Sequence, residues 1–135
     1  MIYLDSSALL KLLFEEAESA VLAQWITDCA DTPLVSSHLA KVEVIRATRR
    51  LNADLVPAAR ALLSQLDLIP ITDALIDQAA DIAGPVLRTL DALYLASALS
   101  IRDDLTAFVA YDHRLNAAAA SAGIQPTRPT DTDPS

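Results

Sequence analysis

The stretch Ile2-Tyr3-Leu4-Asp5-Ser6-Ser7-Ala8-Leu9-Leu10-Lys11-Leu12 decides the fold class. Three apolar residues, suited to a β-strand, run into an acid. Ser6 and Ser7 then offer cap chemistry, and Ala8 to Phe14 is helical in composition, so the segment reads as strand, turn, helix. The pattern returns at Phe108-Val109-Ala110-Tyr111, a strand that ends at Asp112 ahead of an alanine-rich helix over Leu115 to Ala122 closed by Gly123. Between the two, helices are expected over Glu15 to Ala30, about His38 to Leu51 with Ser36-Ser37 as its cap, and Leu55 to Leu66. Two more should follow over Ala74 to Ala83, capped by Thr72-Asp73 and stopped by Gly84-Pro85, and over Leu90 to Ile101. The last is so apolar that it should be buried around most of its circumference. Leu34-Val35 and Leu68 to Ile71 read as strands, the latter at a sheet edge because it contains Pro70, and Ile124-Gln125 as a final strand. Strands alternating with helices specify an α/β fold, a parallel sheet covered on both faces.

One domain is expected over residues 1–125, and Pro126 to Ser135, with three prolines among Thr, Asp and Ser, reads as a loose tail. The hydrophobic fraction of 53% and charged fraction of 21% are those of a globular chain. No uncharged apolar run is long enough to cross a bilayer, the longest, Ala92 to Ile101, being closed by Asp91 and Arg102. The opening residues lack a basic leader and carry an acid inside the apolar stretch, so the cytoplasm is the expected compartment. Cys29, the only cysteine, excludes an internal disulfide and a thiolate metal cage, and suits a small core position. The net charge of −8 argues against a protein that blankets a nucleic-acid backbone with cations, so any such contact must be local. Two divalent ions would bring that charge only to about −4.

Ligands of open α/β sheets collect beyond the carboxyl ends of the strands, where Asp5 and Asp112 both fall. Each acid also has an ordinary structural reading. Asp5 could cap its helix, although Ser6 and Ser7 are there for that, and an acid directly after an apolar strand is costly to desolvate. Glu43 shares a helical stripe with Ala40 and Ala47 and so points toward the core, unless it pairs with Arg46 or Arg50. Asp91 opens the most apolar helix and could serve as its cap or dipole partner. If all four meet in a partly dry cleft, their repulsion must be relieved by protons or by cations, and oxygen ligands of this kind suit Mg²⁺ or Mn²⁺.

The opening eleven residues quoted above resemble the start of a PIN-domain nuclease of the VapC toxin type. Val42-Glu43-Val44 with Arg46-Ala47 is similar to that family's second acid on a helix, Leu90-Asp91-Ala92-Leu93-Tyr94-Leu95-Ala96 to its third-acid motif, and Tyr111-Asp112-His113-Arg114-Leu115 to its fourth. Tyr111 departs from the pattern, since many members carry a small hydroxyl residue there. The resemblance implies a PIN-like three-layer α/β/α sandwich with a parallel sheet of about five strands and the acids at its carboxyl edge. It implies an endoribonuclease that hydrolyses RNA with a metal-activated water, leaving a 5′-phosphate and a 3′-hydroxyl. Asp5 and Asp91 would then be the firmest ligands of one or two Mg²⁺ or Mn²⁺ ions, with Glu43 and Asp112 completing the set. It also implies a cognate VapB-type antitoxin that inserts a basic side chain into the acids, and a homodimer.

Ser7 is a further candidate, either binding a ligand carboxylate or the scissile phosphate, or capping the helix. Arg46, with Arg49 and Arg50, and separately Arg114, are candidates to steer or grip a phosphate backbone, against the plainer reading of solvated helix ends. His38 and His113 are not needed as bases and suit surface or packing roles. A free-standing RNA-processing PIN nuclease and a non-catalytic module that holds a partner's arginine remain alternatives. A haloacid-dehalogenase-type phosphatase would need an acid where Ser7 stands, and a receiver domain would need paired acids and a late lysine that are not evident.

Overall fold

The computed structural model describes residues 1–82 and 87–130. Five strands, β1 (Ile2–Leu4), β2 (Leu34–Ser37), β3 (Asp67–Ile69), β4 (Ala107–Val109) and β5 (Pro126–Thr127), form one sheet in the order β3-β2-β1-β4-β5, every pairing parallel. Among the described residues the α-helices are α1 (Ser6–Leu13), α2 (Ser19–Asp28), α3 (Leu39–Leu51), α4 (Val56–Ser64), α5 (Asp73–Asp81), α6 (Thr89–Ser100) and α7 (His113–Ser121). Every residue of β1 is buried. Successive strand side chains point to opposite faces, so helices must cover both sides, which is the three-layer α/β/α arrangement expected.

Strand order reverses between β1 and β4: the chain builds outward through β2 and β3 on one side, then returns to lay β4 against the other flank of β1. That register places Tyr3 beside Phe108, and their rings stack with centroids 5.4 Å apart and planes 7° from parallel. The Tyr3 hydroxyl donates to the Tyr94 carbonyl at 2.7 Å, fixing α6 against the central strand. From Tyr94 to Ala98 α6 is buried, while its first turn emerges from the core with Leu90 46% exposed. A smaller apolar cluster of Leu75, Ala79 and Ala96 joins α5 to α6. Cys29 and Trp25 are partly buried against the main core. No helix among the described residues is long and apolar enough to cross a membrane.

Several expected boundaries move for identifiable reasons. Ser36 and Ser37, expected as the cap pair of α3, belong to β2: the Ser36 hydroxyl donates to the Leu4 carbonyl at 2.6 Å in the core, and only Ser37 reaches the helix, its Oγ accepting from the Leu39 N–H at 3.2 Å while His38 holds the N-cap position. The last strand is not Ile124-Gln125. Gly123 turns the chain at φ +90°, Ile124 is taken into the core as an apolar plug, and pairing starts at Pro126, which an edge strand tolerates. The expected boundary at residue 125 therefore cuts through the sheet. The chain beyond it stays packed as far as Pro129, which is buried, and residues 131–135 lie outside the described residues. The stop expected at Gly84-Pro85 also lies outside them.

Candidate active site

Asp5 follows β1 immediately and is the N-cap of α1, its Oδ1 accepting from the Ala8 N–H at 3.0 Å. Ser6 and Ser7, expected as the cap, are instead the first helical residues. Ser7 is turned back onto the acid: its hydroxyl donates to Asp5 Oδ1 at 2.6 Å and accepts from the Tyr111 N–H at 2.9 Å. Asp112 is likewise the N-cap of α7, accepting from the N–H groups of Arg114 and Leu115 at 2.8 and 3.2 Å. For both aspartates capping and a place in the site coexist, because parallel strands point their carboxyl ends, and the helix starts that follow, at the same edge. Asp91 is not a cap. Arg88 holds the N-cap position of α6, and Asp91 lies in the first turn.

The four acids come together. Asp5, Glu43, Asp91 and Asp112 line one cavity of about 310 Å³ with Ser6, Ser7, Arg88, Thr89 and Leu90. They ring it rather than meet at a point, since among the described residues no three acids or histidines are grouped closely enough to grip a single ion as they stand. Asp5 is 3% exposed. Its burial, opposed by the hydrogen bonds from Ser7 and Ala8 and reinforced by the charges of Asp112 and Glu43, raises its pKa from 3.8 to about 7. Burial and the neighbouring Asp112 also raise Asp91, against the pull of Arg88. Glu43 Oε1 and Asp91 Oδ2 are buried without a hydrogen-bond partner. Glu43 Oε1 thus lies beside other acids in a state that a proton or a cation relieves, while Asp91 Oδ2 has only the Arg88 guanidinium 3.6 Å away. The all-oxygen donor set and these orphaned atoms fit a hard divalent cation.

A pH dependence follows. The folded chain favours the neutral form of Asp5, so this residue contributes stability fully present below about pH 4 and lost as the pH rises through about 7. Asp5→Asn keeps an acceptor for the Ala8 N–H but cannot ionise. In chelator, the melting temperature of the parent protein should fall relative to Asp5→Asn between about pH 5 and about pH 8. A gap that stays constant over that range would mean that the site does not resist the Asp5 charge.

Sequence reasoning overlooked Arg88. Its Nε lies 3.6 Å from Asp91 Oδ2 and its Nη2 3.6 Å from Asp112 Oδ2, so one guanidinium spans two of the acids. The signal was present as a cation three residues ahead of a helix-opening acid, a spacing that brings the two side chains onto one face. The other basic candidates stand farther out. Arg46 is exposed and lines an adjacent groove shared with Glu43, Val42, Arg50 and Leu90. Arg114 is exposed and outside the cavity lining, and the ion pairs considered for Glu43 with Arg46 or Arg50 do not form among the described residues. His38 and His113 are both exposed.

A five-stranded parallel sheet with four acids around its switch point defines a class, and residues 2–121 match the PIN domain model, so the chain belongs to the PIN-domain family. Within that class it is similar along almost its whole length to ribonucleases of Mycobacterium tuberculosis. It is 40% identical to Ribonuclease VapC47 over 132 residues, covering 96% of this chain and 97% of the relative. It is 39% identical to Ribonuclease VapC35 over 131 residues (96% and 97%), and 38% identical to Ribonuclease VapC46 over 129 residues (96% and 98%).

Proposed function

We propose that this chain is an endoribonuclease, the toxin of a toxin–antitoxin pair, which hydrolyses RNA phosphodiesters at the four-acid cavity with one or two Mg²⁺ or Mn²⁺ ions as cofactor. The observation that carries the reading is the convergence of Asp5, Glu43, Asp91 and Asp112, from four different elements, on one cavity at the carboxyl edge of the sheet. Relatives matched end to end bear the name ribonuclease, in line with it. Asp5 and Asp91 would hold the cation, with Glu43 and Asp112 completing its surroundings. When bound, such an ion supplies a water of lowered pKa and neutralises charge on the phosphate. Ser7 orients the Asp5 carboxylate, and Arg88 and Arg46 lie where a phosphate backbone would approach an otherwise acidic molecule.

The test is incubation with total RNA in Mg²⁺, Mn²⁺ or chelator, with Asp5→Ala as control and the ends mapped by sequencing. Cleavage restricted to the metal-containing samples, leaving 5′-phosphates and 3′-hydroxyls, is expected. Activity that survives both chelator and Asp5→Ala overturns the mechanism, and absence of cleavage in every metal points to a binding module.

Arg88 supports the partner side of the reading. The cavity accepts a guanidinium between Asp91 and Asp112, the chemistry by which a VapB-type antitoxin's basic side chain would block it. We propose the same inhibitory contact here, in a cytoplasmic homodimer. Because Arg88, itself exposed and 3.6 Å from each acid, competes with a metal for the same oxygens, Arg88→Gln is expected to bind Mn²⁺ about two- to fivefold more tightly, read from free Mn²⁺ by electron paramagnetic resonance. Weaker binding would instead make Arg88 a support of the site.

A further inference from the structure

Tyr111 links the end of the chain to the active site. Its ring lies under two cations, Lys11 Nζ at 4.8 Å from the centroid and the Arg128 guanidinium carbon at 5.8 Å. Its hydroxyl donates to the Pro129 carbonyl at 2.8 Å. Both cations are themselves tied down: Lys11 by Glu16 and Glu18 at 2.8 and 2.7 Å, Arg128 by Glu18 at 3.9 Å. The pairing of β5 with β4 delivers Arg128 and Pro129 to this spot, although composition marks the segment as tail.

The other end of Tyr111 reaches a catalytic acid. The chain leaves the sheet after Val109, and the Tyr111 N–H donates to Ser7 Oγ rather than to a neighbouring strand. A hydroxyl carries one proton. With the Tyr111 N–H occupying an acceptor position on Ser7 Oγ, that proton is directed at Asp5 Oδ1, which also receives the Ala8 N–H. Asp112 is the next residue after Tyr111, and its cap bonds to α7 begin from the same short connection. Tyr111 therefore fixes the approach to one acid through its backbone and the orientation of another through Ser7.

We propose that the segment Pro126–Pro129 is a positioning strap for the active-site carboxylates: by gripping the Tyr111 side chain it holds the backbone N–H that orients Ser7, and through Ser7 the Asp5 carboxylate. The inference rests on the reading of the acidic cavity as the active site. Tyr111, Arg128 and Pro129 act only through other residues, so they are positioning groups and not catalytic ones.

The test uses full-length Tyr111→Phe, which removes only the hydroxyl, and Arg128→Ala, which removes one of the two cations. Amide hydrogen exchange at positions 8 and 111 is read with the melting temperature, and kcat and KM are measured on an RNA oligonucleotide. The strap requires exchange at both amides to rise about fivefold in Tyr111→Phe and less in Arg128→Ala, as expected for one lost hydrogen bond and one lost cation–π contact. It also requires kcat to fall with KM unchanged. Exchange at positions 8 and 111 that matches the parent in both variants overturns the proposal. A parent chain that cleaves no RNA sinks the functional reading instead, while the exchange arm still decides the strap.

Discussion

Asp5→Asn should lower RNA cleavage by at least about a thousandfold without harming the fold, the scale on which a preorganised electrostatic contribution at a phosphoryl centre operates. Asparagine keeps the N-cap bond to Ala8 and the volume of the side chain, so α1 still starts where it does. It removes a carboxylate whose pKa stands near 7 because the site is dry and crowded with like charge. Activity and stability should therefore separate: at about pH 8 in chelator the variant melts no lower than the parent, yet its cleavage rate falls to background. A variant that keeps a tenth of the parental rate would remove Asp5 from the chemistry.

Phe108→Ala is the second large effect, and it acts on stability. Phe108 is fully buried in β4 and stacks on Tyr3 across the switch point. Truncating a buried phenylalanine costs about 3–5 kcal/mol, which for a domain of this size corresponds to a drop of roughly 10 to 15 °C in melting temperature. The site should suffer as well. Tyr3 holds the Tyr94 carbonyl, and Tyr94 lies one helical turn beyond Asp91, so a loosened Tyr3 ring frees α6 to shift against β1. Phe108→Leu, which refills most of the volume, should recover more than half of the lost stability; equal losses in both variants would place the effect outside packing.

The central architecture was legible because it is written in local patterns. Two apolar runs that each end in an aspartate before a helix specify strands delivering carboxylates to one edge; β1 ends directly at Asp5, while β4 stops at Val109, short of the expected Tyr111, and Ala110 and Tyr111 carry the chain on to Asp112. Glu43 was legible from its position on a buried stripe, which brings an oxygen into the interior without a partner. Capping and a place in the site read as competing explanations for Asp5, yet at the carboxyl end of a parallel strand one side chain both caps its helix and lines the cavity.

What sequence reasoning missed depends on contacts between distant segments. The strand at Pro126–Thr127 has two residues and a proline, too little for any pattern, and exists because Gly123 and Ile124 lay the chain beside β4. The side chain of Arg88 is 69% exposed; its spacing from Asp91 is local, but its reach to Asp112 exists only once α7 packs beside α6. Tyr111 stood out only as a departure from the family's pattern. Among the described residues its partners include Ser7 and Lys11 from early in the sequence and Arg128 and Pro129 from late in it.

Under the proposed function, the four carboxylates that repel one another around one cavity form a cation site. An anomalous difference map from crystals of the full chain soaked in Mn²⁺ addresses it directly. The expected result is a peak inside the cavity, in bonding contact with Asp5 and Asp91, with the Arg88 guanidinium withdrawn from Asp91. A cavity without a peak at saturating Mn²⁺, with Arg88 still spanning Asp91 and Asp112, would contradict it.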